Sequence, residues 1–288
     1  MTAPITATGP NAEQIEYWNS NSAQKWVDLQ ERLDALIEPF GALAIERAGL
    51  AAGERAIDVG CGCGATSLAL ARRVGPRGRV LGVDISAVML ARARVRARTE
   101  GLANVEFANA DAQTHQFDAG AWDCAYSRFG VMFFAEPRGA FANLRGALRA
   151  GGRVSFACWR AMPENPWVTV PFAALATVLT PPPPPAPGAP GPFAFGDPDR
   201  VRAILADAGF AQIELAPHTG ELALGASLDD AVQFAINAGP ASRLLDGATA
   251  ADRARAERAV RDALAPHARG GPVALPGAIW LVRARNPG

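Results

Sequence analysis

Residues 56–71 read AIDVGCGCGATSLALA and place an acidic side chain just before closely spaced glycines. Asp58 lies near the end of an apolar segment, and Gly60, Gly62 and Gly64 follow at alternate positions. Glycine permits a tight backbone turn and lets a ligand come close, because it has no Cβ. A helix that follows presents unpaired N–H groups and the positive end of its dipole to an anion. The spacing therefore predicts a strand, a glycine turn and a helix that together bind an anionic group.

The elements that must position this turn follow from the pattern of apolar residues. From residue 55 onward, short apolar strands alternate with helical segments, which is typical of a parallel sheet covered by helices on both faces. The predicted strands are residues 55–59, 79–83, 105–107, 122–126 and 154–158, and the helices between them are residues 64–74, 86–100 and 137–149. Two late strands, predicted at 214–224 and 275–285, pair at the edge of the sheet. We therefore expect an α/β fold with a Rossmann-like, doubly wound, mostly parallel seven-stranded sheet.

Helical segments flank this core. Residues 12–48 carry apolar side chains at helical spacing, with interruptions predicted near Asn19–Ser22 and at Pro39. Residues 181–192 are proline-rich and favour an irregular linker. The expected organisation is an N-terminal helical lid at 1–48, a Rossmann-like core at 49–160, and cap insertions with the C-terminal edge strands at 161–288.

Four motifs together resemble the class I methyltransferases that use S-adenosylmethionine (SAM). They are DVGCGCG at 58–64, VLGVDIS at 80–86, NADAQ at 109–113 and GALRAGGRV at 146–154. The nearest resemblance is to the quinone-biosynthesis C-methyltransferases, and it covers roughly residues 15–160. It implies SAM as cofactor, S-adenosylhomocysteine (SAH) as product and a small-molecule acceptor. Methyl transfer would be an in-line displacement, so the protein would mainly align two reactants and exclude water.

The resemblance assigns the contacts of the methionine and ribose parts of SAM. Asp58, with Gly60, Gly62 and Gly64, would line the methionine half. Asp84, which ends the second strand, would accept hydrogen bonds from both ribose hydroxyls, a charge-assisted bidentate contact.

The resemblance also implies contacts with the adenine and the sulfonium. Ile85 would pack on one adenine face, and Met89 would close the same pocket. Asp111 would accept a hydrogen bond from the adenine amino group, and Ala112 would offer a backbone N–H. Ser127, after the fourth strand, would lie close to the sulfonium.

Aromatic side chains of the predicted lid would cover the cofactor. Trp18 and Trp26 lie in a segment that resembles the part of the family that folds over SAM, with ordinary core packing as the alternative. The stretch NSNSAQKW lacks the glycine that usually precedes the second tryptophan in the family.

A general base is needed only if the acceptor must lose a proton to become nucleophilic. His115 lies just past the predicted adenine loop and is the candidate, since histidine titrates near neutral pH. His218 and His267 lie outside the recognised core. Tyr126 is expected in the core, and Arg128 is expected in a structural salt bridge.

The acceptor pocket is predicted from apolar segments outside the core. Residues 164–175 and the helix that contains Phe234 and Ile236 would line it. Their apolar character favours an aromatic or lipophilic acceptor, although cap helices need an apolar face in any case.

Two alternatives remain beside methyl transfer. The spacing Gly60-x-Gly62-x-x-Ala65 also satisfies the dinucleotide fingerprint, so an NAD-dependent oxidoreductase is one. The early acid Asp58 and the long segment before the first strand favour SAM instead. The other alternative is a non-catalytic scaffold that binds SAM and transfers no methyl group.

Composition limits the partners. Formal net charge is +0 and the pI is about 6.8, which gives no basic excess for nucleic-acid binding. The four cysteines form no CxxC pair, so no metal site is expected, and reduced thiols fit a cytoplasmic location. No apolar run long enough to span a membrane is expected.

Overall fold

We describe the chain from a computed structural model, in which residues 5–238, 240–245, 247–268 and 271–288 are described. Positions 1–4 of the predicted lid and positions 239, 246, 269 and 270 of the predicted C-terminal region lie outside the described residues. The strands are β1 Arg55–Val59, β2 Arg79–Asp84, β3 Val105–Asn109, β4 Trp122–Arg128, β5 Leu148–Trp159, β6 Ala211–Gly225 and β7 Val273–Arg285. The helices are α1 Ala12–Tyr17, α2 Asn21–Asp28, α3 Gln30–Ala48, α4 Ala65–Val74, α5 Ala87–Thr99, α6 Pro137–Ala147, α7 Pro166–Ala176, α8 Pro198–Asp207, α9 Leu228–Asn237 and α10 Ala250–Leu264.

The strands of the described residues form a seven-stranded sheet in the order β3-β2-β1-β4-β5-β7-β6. Strands β1 to β5 pair in parallel. Strand β7 runs antiparallel to β5. At one end of this pair Gly151 donates its N–H to Asn286 O and Asn286 donates its N–H to Gly152 O, and at the other end Arg160 donates its N–H to Ala278 O. The prediction of a Rossmann-like, mostly parallel sheet with two late edge strands is confirmed.

Strand β1 lies in the middle of the sheet, and its register brings the predicted site together. Asp58 is paired with Gly82 of β2 and with Tyr126 of β4. Asp84 at the end of β2 is paired with Asn109 at the end of β3. Because parallel strands end at the same edge, these acidic and polar side chains converge there.

The N-terminal helices differ from the prediction at one point. The break near Asn19–Ser22 is confirmed, but helix α3 continues through Pro39, and the second break falls at Leu29 instead. Pro39 cannot donate a hydrogen bond to the carbonyl of Ala35. Both residues are exposed, so water can satisfy that carbonyl and the helix is not forced to end.

The chain divides into two compact units. Unit 1 comprises Met1–Cys158, Pro190–Pro217 and Trp280–Gly288, and unit 2 comprises Trp159–Ala189 and His218–Ile279. The helices predicted as a lid therefore belong to the same unit as the core, and the C-terminal region contributes to both units.

Unit 2 is built from α7, α9 and α10 together with parts of β6 and β7. Asn165 is fully buried in it and accepts hydrogen bonds from the indole N–H of Trp167 (3.1 Å) and from the backbone N–H of Ala278 (2.9 Å). A small apolar cavity within this unit is lined by Trp167, Val168, Pro171, Leu224, Phe234, Ala235, Ala238 and Ala241.

Candidate functional site

The turn between β1 and α4, residues 60–64, is called the glycine turn. Gly60, Gly62 and Gly64 have φ values of 69°, 52° and 85°, a region that side chains rarely adopt. A Cβ on Gly60 would lie 2.7 Å from Cα of Gly130, and one on Gly64 would lie 2.9 Å from Cβ of Ala93. Around Gly62 the nearest atom would be Met89 Sδ at 3.7 Å. Packing thus requires two of the glycines, whereas Gly62 leaves room beside the turn.

Asp58 is buried directly beneath this turn. Its Oδ2 accepts hydrogen bonds from Thr66 Oγ1 (2.7 Å) and Ser67 Oγ (2.6 Å), in the first turn of α4. Its Oδ1 is buried and has no hydrogen-bond partner among the described residues. Burial raises the pKa of this carboxyl, and the two hydroxyls oppose the shift. A buried acceptor without a donor is costly, so the site suits a ligand that brings an N–H group.

Asp84 links the end of β2 to the glycine turn. Its Oδ2 accepts the N–H of Gly62 (2.7 Å), and its Oδ1 accepts the N–H of Ser86 (2.7 Å). We call the residues from Asp84 to Ala87 the ribose loop, because Asp84 is predicted to bind the ribose hydroxyls. Burial raises the pKa of Asp84 to about 6, although the N–H groups of Ser86 and Gly62 act in the opposite direction.

The predicted adenine contacts lie on the elements that follow. Ile85 is half-buried in the ribose loop, and Met89 is buried in α5 with its N–H bonded to Ser86 Oγ (3.3 Å). Asp111 follows β3, and its two carboxylate oxygens accept the backbone and side-chain N–H groups of Gln113, each at 3.0 Å. Ala112 is buried beside it. The fold brings Ile85, Met89, Asp111 and Ala112 to the same edge of the sheet.

Ser127 is buried at the end of β4, and its predicted place beside the sulfonium stays a prediction. Its hydroxyl donates to Val59 O (2.8 Å) and accepts the N–H groups of Gly130 (3.1 Å) and Val131 (3.3 Å). These bonds tie the end of β4 to the end of β1. Between them Phe129 has a φ of 63°, a strained value for a bulky residue of the kind that clusters at functional sites.

The candidate base His115 and the other titratable side chains considered from the sequence lie in different surroundings. His115 is half-buried, its ring packs on Phe117 at 4.6 Å between centroids, and burial lowers its pKa, with Asp118 acting in the opposite direction. Tyr126 is fully buried and its hydroxyl donates to Gly41 O (3.3 Å), as expected for a core residue. Burial raises its pKa far above the usual value. His218 lies in unit 2, as does His267, which is exposed.

The lid aromatics lie beside the loop that follows β4. Trp18 packs edge-to-face on Phe133, with centroids 5.4 Å apart, and on Trp26 at 5.8 Å. Trp26 is the more exposed of the pair, at 38%. The prediction that both tryptophans cover the cofactor stays a prediction.

Three polar residues of this region are absent from the sequence-based prediction. Thr66 and Ser67 donate hydrogen bonds to Oδ2 of Asp58. The sequence feature that could have indicated them is the pair of hydroxyl side chains in the first helical turn after the glycines. Asn19 contacts the ribose loop, at the helix break that the sequence did indicate. Arg128 does form the expected salt bridge, with Asp34 at 3.0 Å.

Comparisons with known proteins find relatives among the methyltransferases. Residues 56–152 match a family model described as a methyltransferase domain. Over 118 residues the chain is 36% identical to aklanonic acid methyltransferase DauC of Streptomyces sp. (strain C5). This match covers 41% of this chain and 54% of that protein. It is 35% identical over 111 residues to the ubiquinone/menaquinone biosynthesis C-methyltransferase UbiE of Pseudomonas putida, covering 38% of this chain and 43% of that protein. The chain thus matches about half the length of these curated relatives.

A solved structure extends the likeness in fold over nearly the whole chain. Geranyl diphosphate C-methyltransferase from Streptomyces coelicolor A3(2), in complex with Mg2+, geranyl diphosphate and SAH, superimposes with a TM-score of 0.53 and 18% identity. The match covers 98% of this chain and 100% of that one. At this identity the likeness concerns the fold alone.

Residues 56–152 therefore match a methyltransferase domain, and this region is similar to the class I SAM-dependent methyltransferases of the quinone-biosynthesis C-methyltransferase group. The alternatives of an NAD-dependent oxidoreductase and of a non-catalytic scaffold receive no support from these comparisons. Within the described residues, no helix has both the length and the apolar character needed to cross a membrane.

Proposed function

We propose that this chain, through its class I methyltransferase domain, binds SAM at the glycine turn and transfers the methyl group to a small aromatic or lipophilic acceptor. The observation that carries the proposal is the pair of carboxylates around the glycine turn. Asp58 lies beneath the turn, and its Oδ1 has no hydrogen-bond partner within the described part of the chain, whereas Asp84 lies beside the turn and is bonded to Gly62. A ligand with a cationic amine and a ribose diol has the donors that these two acids lack.

Asp58 and the glycine turn hold the methionine end in this proposal. Oδ1 of Asp58 accepts an N–H of the ligand amine, which satisfies the buried oxygen. The first N–H groups of α4 face the carboxylate of the ligand, with the positive end of the helix dipole behind them. The space beside Gly62 admits the ligand chain.

Asp84 and the residues after β3 orient the nucleoside. Each oxygen of Asp84 already accepts one backbone N–H and has a second lone pair for a ribose hydroxyl. Asp111 is held by Gln113 in an orientation that leaves further acceptor capacity for the adenine amino group. Ile85 and Met89 supply apolar contact with the adenine.

The chemical step needs little from side chains. Bound SAM supplies a methyl group on a sulfonium that is already activated for in-line displacement. The chain aligns the acceptor, and the aromatic side chains of Trp18, Trp26 and Phe133 keep water out. His115 accepts the proton where the acceptor must lose one, and its lowered pKa keeps the ring neutral near pH 7.

The acceptor class is supported by the curated relatives. One relative is named for aklanonic acid and another for ubiquinone/menaquinone biosynthesis, and both names favour an aromatic or lipophilic acceptor for this chain as well.

Calorimetric titration with SAM, SAH and NAD tests the proposal. We expect micromolar binding of SAM and SAH without heat from NAD. Asp84→Ala should weaken SAM binding by about 1.5–3 kcal/mol, the usual size for hydrogen bonds to a charged group, whereas the exposed control Asp262→Ala should bind as wild type. Binding of NAD and not SAM would reject the proposal. Formation of SAH with a panel of phenols and quinone precursors, measured by mass spectrometry, would separate an enzyme from a scaffold.

A further inference from the structure

A side chain that the proposed mechanism does not use joins the N-terminal helices to the ribose loop. Asn19 lies between α1 and α2. Its amide donates hydrogen bonds to the carbonyl oxygens of Ile15 (2.7 Å) and Ile85 (2.9 Å), and its carbonyl oxygen accepts the N–H of Ala87 (3.0 Å). Two of these three bonds cross 66 and 68 positions of the sequence to the loop that carries Asp84.

The chemistry of these contacts requires a carboxamide. Ala87 is the first residue of α5, so its N–H lacks a partner within the helix, and Ile85 presents a carbonyl two positions earlier. An asparagine can accept from the first and donate to the second, whereas a carboxylate or a hydroxyl of similar size cannot do both as well. Asn19 therefore holds the two backbone groups on either side of Ser86.

The same N-terminal segment reaches the ends of two other strands. Trp18, next to Asn19, packs on Phe133 in the loop after β4. The N–H of Ile5 bonds to Asn109 Oδ1 (3.0 Å) at the end of β3, and Asn109 Nδ2 bonds to Asp84 O (3.0 Å). Residues 5–28, called the N-terminal strap, thus contact the end of β3 and the loops after β2 and β4.

We propose that Asn19 is a positioning residue that fastens the N-terminal strap across the cofactor site, so that SAH leaves only when the bonds of Asn19 to the ribose loop break. This inference rests on the proposed function. Opening of such a segment governs product release in many enzymes, whereas the methyl-transfer step itself does not involve Asn19. Loss of the bonds therefore raises the KM for SAM and the SAH release rate, and leaves the single-turnover rate at saturating SAM nearly unchanged.

The sequence offers a direct probe of strap opening. Lys25, in α2, is the only lysine in the chain, so a lysine-specific endoprotease cuts the full-length protein at one place, within the strap. Cleavage inside a helix requires local unfolding, so the cleavage rate reports the population of the open strap.

The experiment compares wild type with Asn19→Ala, Asn19→Asp and the control Asn237→Ala. Asn237 is an exposed asparagine that makes the same bond to the carbonyl four positions earlier, at 2.9 Å, in α9. Removing two hydrogen bonds should speed cleavage without ligand and SAH release by about tenfold in Asn19→Ala. Asn19→Asp should behave similarly, because a carboxylate oxygen would face Ile85 O. The control should match wild type, and SAH should protect wild type from cleavage.

The outcomes separate the two proposals. If wild type does not bind SAH in the calorimeter, the proposed function fails and the inference fails with it. If wild type binds SAH but both Asn19 variants cleave and release SAH at the wild-type rate, only the inference is overturned. A fall in the single-turnover rate with unchanged release would also overturn it, since Asn19 would then act on the reaction step.

Discussion

The Oδ2 atom of Asp84 accepts the backbone N–H of Gly62 at 2.7 Å, which joins the end of β2 to the glycine turn after β1. The turn therefore does not depend on its own sequence alone for its shape. The backbone N–H of Gly60, the first residue of the turn, also donates to Val83 O (2.8 Å), one residue before Asp84. Any change at Asp84 is expected to affect both the charge of the site and the position of the turn.

The raised pKa of Asp84 predicts a pH dependence of cofactor binding. Hydroxyl donors bind the ionised carboxylate best, and a carboxyl with a pKa of about 6 becomes protonated below that pH. SAM affinity should therefore be constant above about pH 7 and fall by up to about tenfold per pH unit below pH 6. Calorimetry at pH 7.5, 6.5 and 5.5 measures it. Asp84→Asn should bind weakly at every pH, and a pH dependence that persists in this variant would assign the titration to another group.

Replacing Asp58 by asparagine should separate stability from binding. The amide oxygen can still accept the hydroxyls of Thr66 and Ser67, and the cost of a buried charge disappears. The free energy of unfolding should therefore change by less than about 1 kcal/mol. SAM affinity should fall by about 1.5–3 kcal/mol, because an NH2 group would face the ligand amine in place of Oδ1.

Urea denaturation and calorimetry measure the two effects of Asp58→Asn. Ser67→Ala serves as the opposite case, since it leaves the carboxylate charged and removes one of its donors. That variant should lose stability. Unchanged SAM affinity in a folded Asp58→Asn protein would show that Oδ1 does not face the ligand.

Packing at Gly60 predicts a difference between two glycines of similar backbone conformation. Gly60 and Gly120 have φ values of 69° and 62°, but a Cβ at Gly60 would lie 2.7 Å from Gly130 Cα, whereas none of the described atoms lies within 4 Å of one at Gly120. Gly120→Ala should cost about 1–2 kcal/mol, the strain of the left-handed conformation. Gly60→Ala should cost at least about 1–3 kcal/mol more, from overpacking. Thermal and urea unfolding compare the two, and equal losses would contradict the role of Gly130.

Asp34 is the acidic centre of a network that connects α3 with the core. It accepts hydrogen bonds from Arg128 (3.0 Å), Arg96 (3.0 Å) and Gln30 (2.6 Å), and Arg96 also donates to Cys63 O (2.9 Å) in the glycine turn. Asp34→Ala should destabilise the protein by about 1–3 kcal/mol, because Arg128 is only 12% exposed and loses its charged partner.

A surface ion pair provides the control for Asp34. Arg138 and Asp207 are 64% and 53% exposed, and such pairs contribute about 0–1 kcal/mol. Asp207→Ala should therefore unfold at nearly the same urea concentration as wild type. A loss in Asp34→Ala no larger than in Asp207→Ala would mean that the Asp34 network adds nothing to stability.

The sequence alone determined the α/β sheet, its two late edge strands and the placement of Asp58, Asp84 and Asp111 at strand ends. These follow from local rules, since alternation of strands and helices dictates a parallel sheet and glycine spacing dictates the turn. The break expected at Pro39 was wrong because local propensity takes no account of exposure, and an exposed carbonyl tolerates the missing donor.

Only the tertiary structure decided which polar atoms are satisfied. Three examples depend on segments far apart in the chain. The Ser127 hydroxyl donates to Val59 O, the Oδ1 atom of Asp58 has no donor among the described residues, and Asn19 bonds to Ile85 and Ala87. Hydrogen bonds are short-ranged and directional, so their partners are fixed only when the strands and loops are packed together. The sequence therefore specified the edge of the sheet that carries the candidate site, and the folded chain specified how each residue there is held.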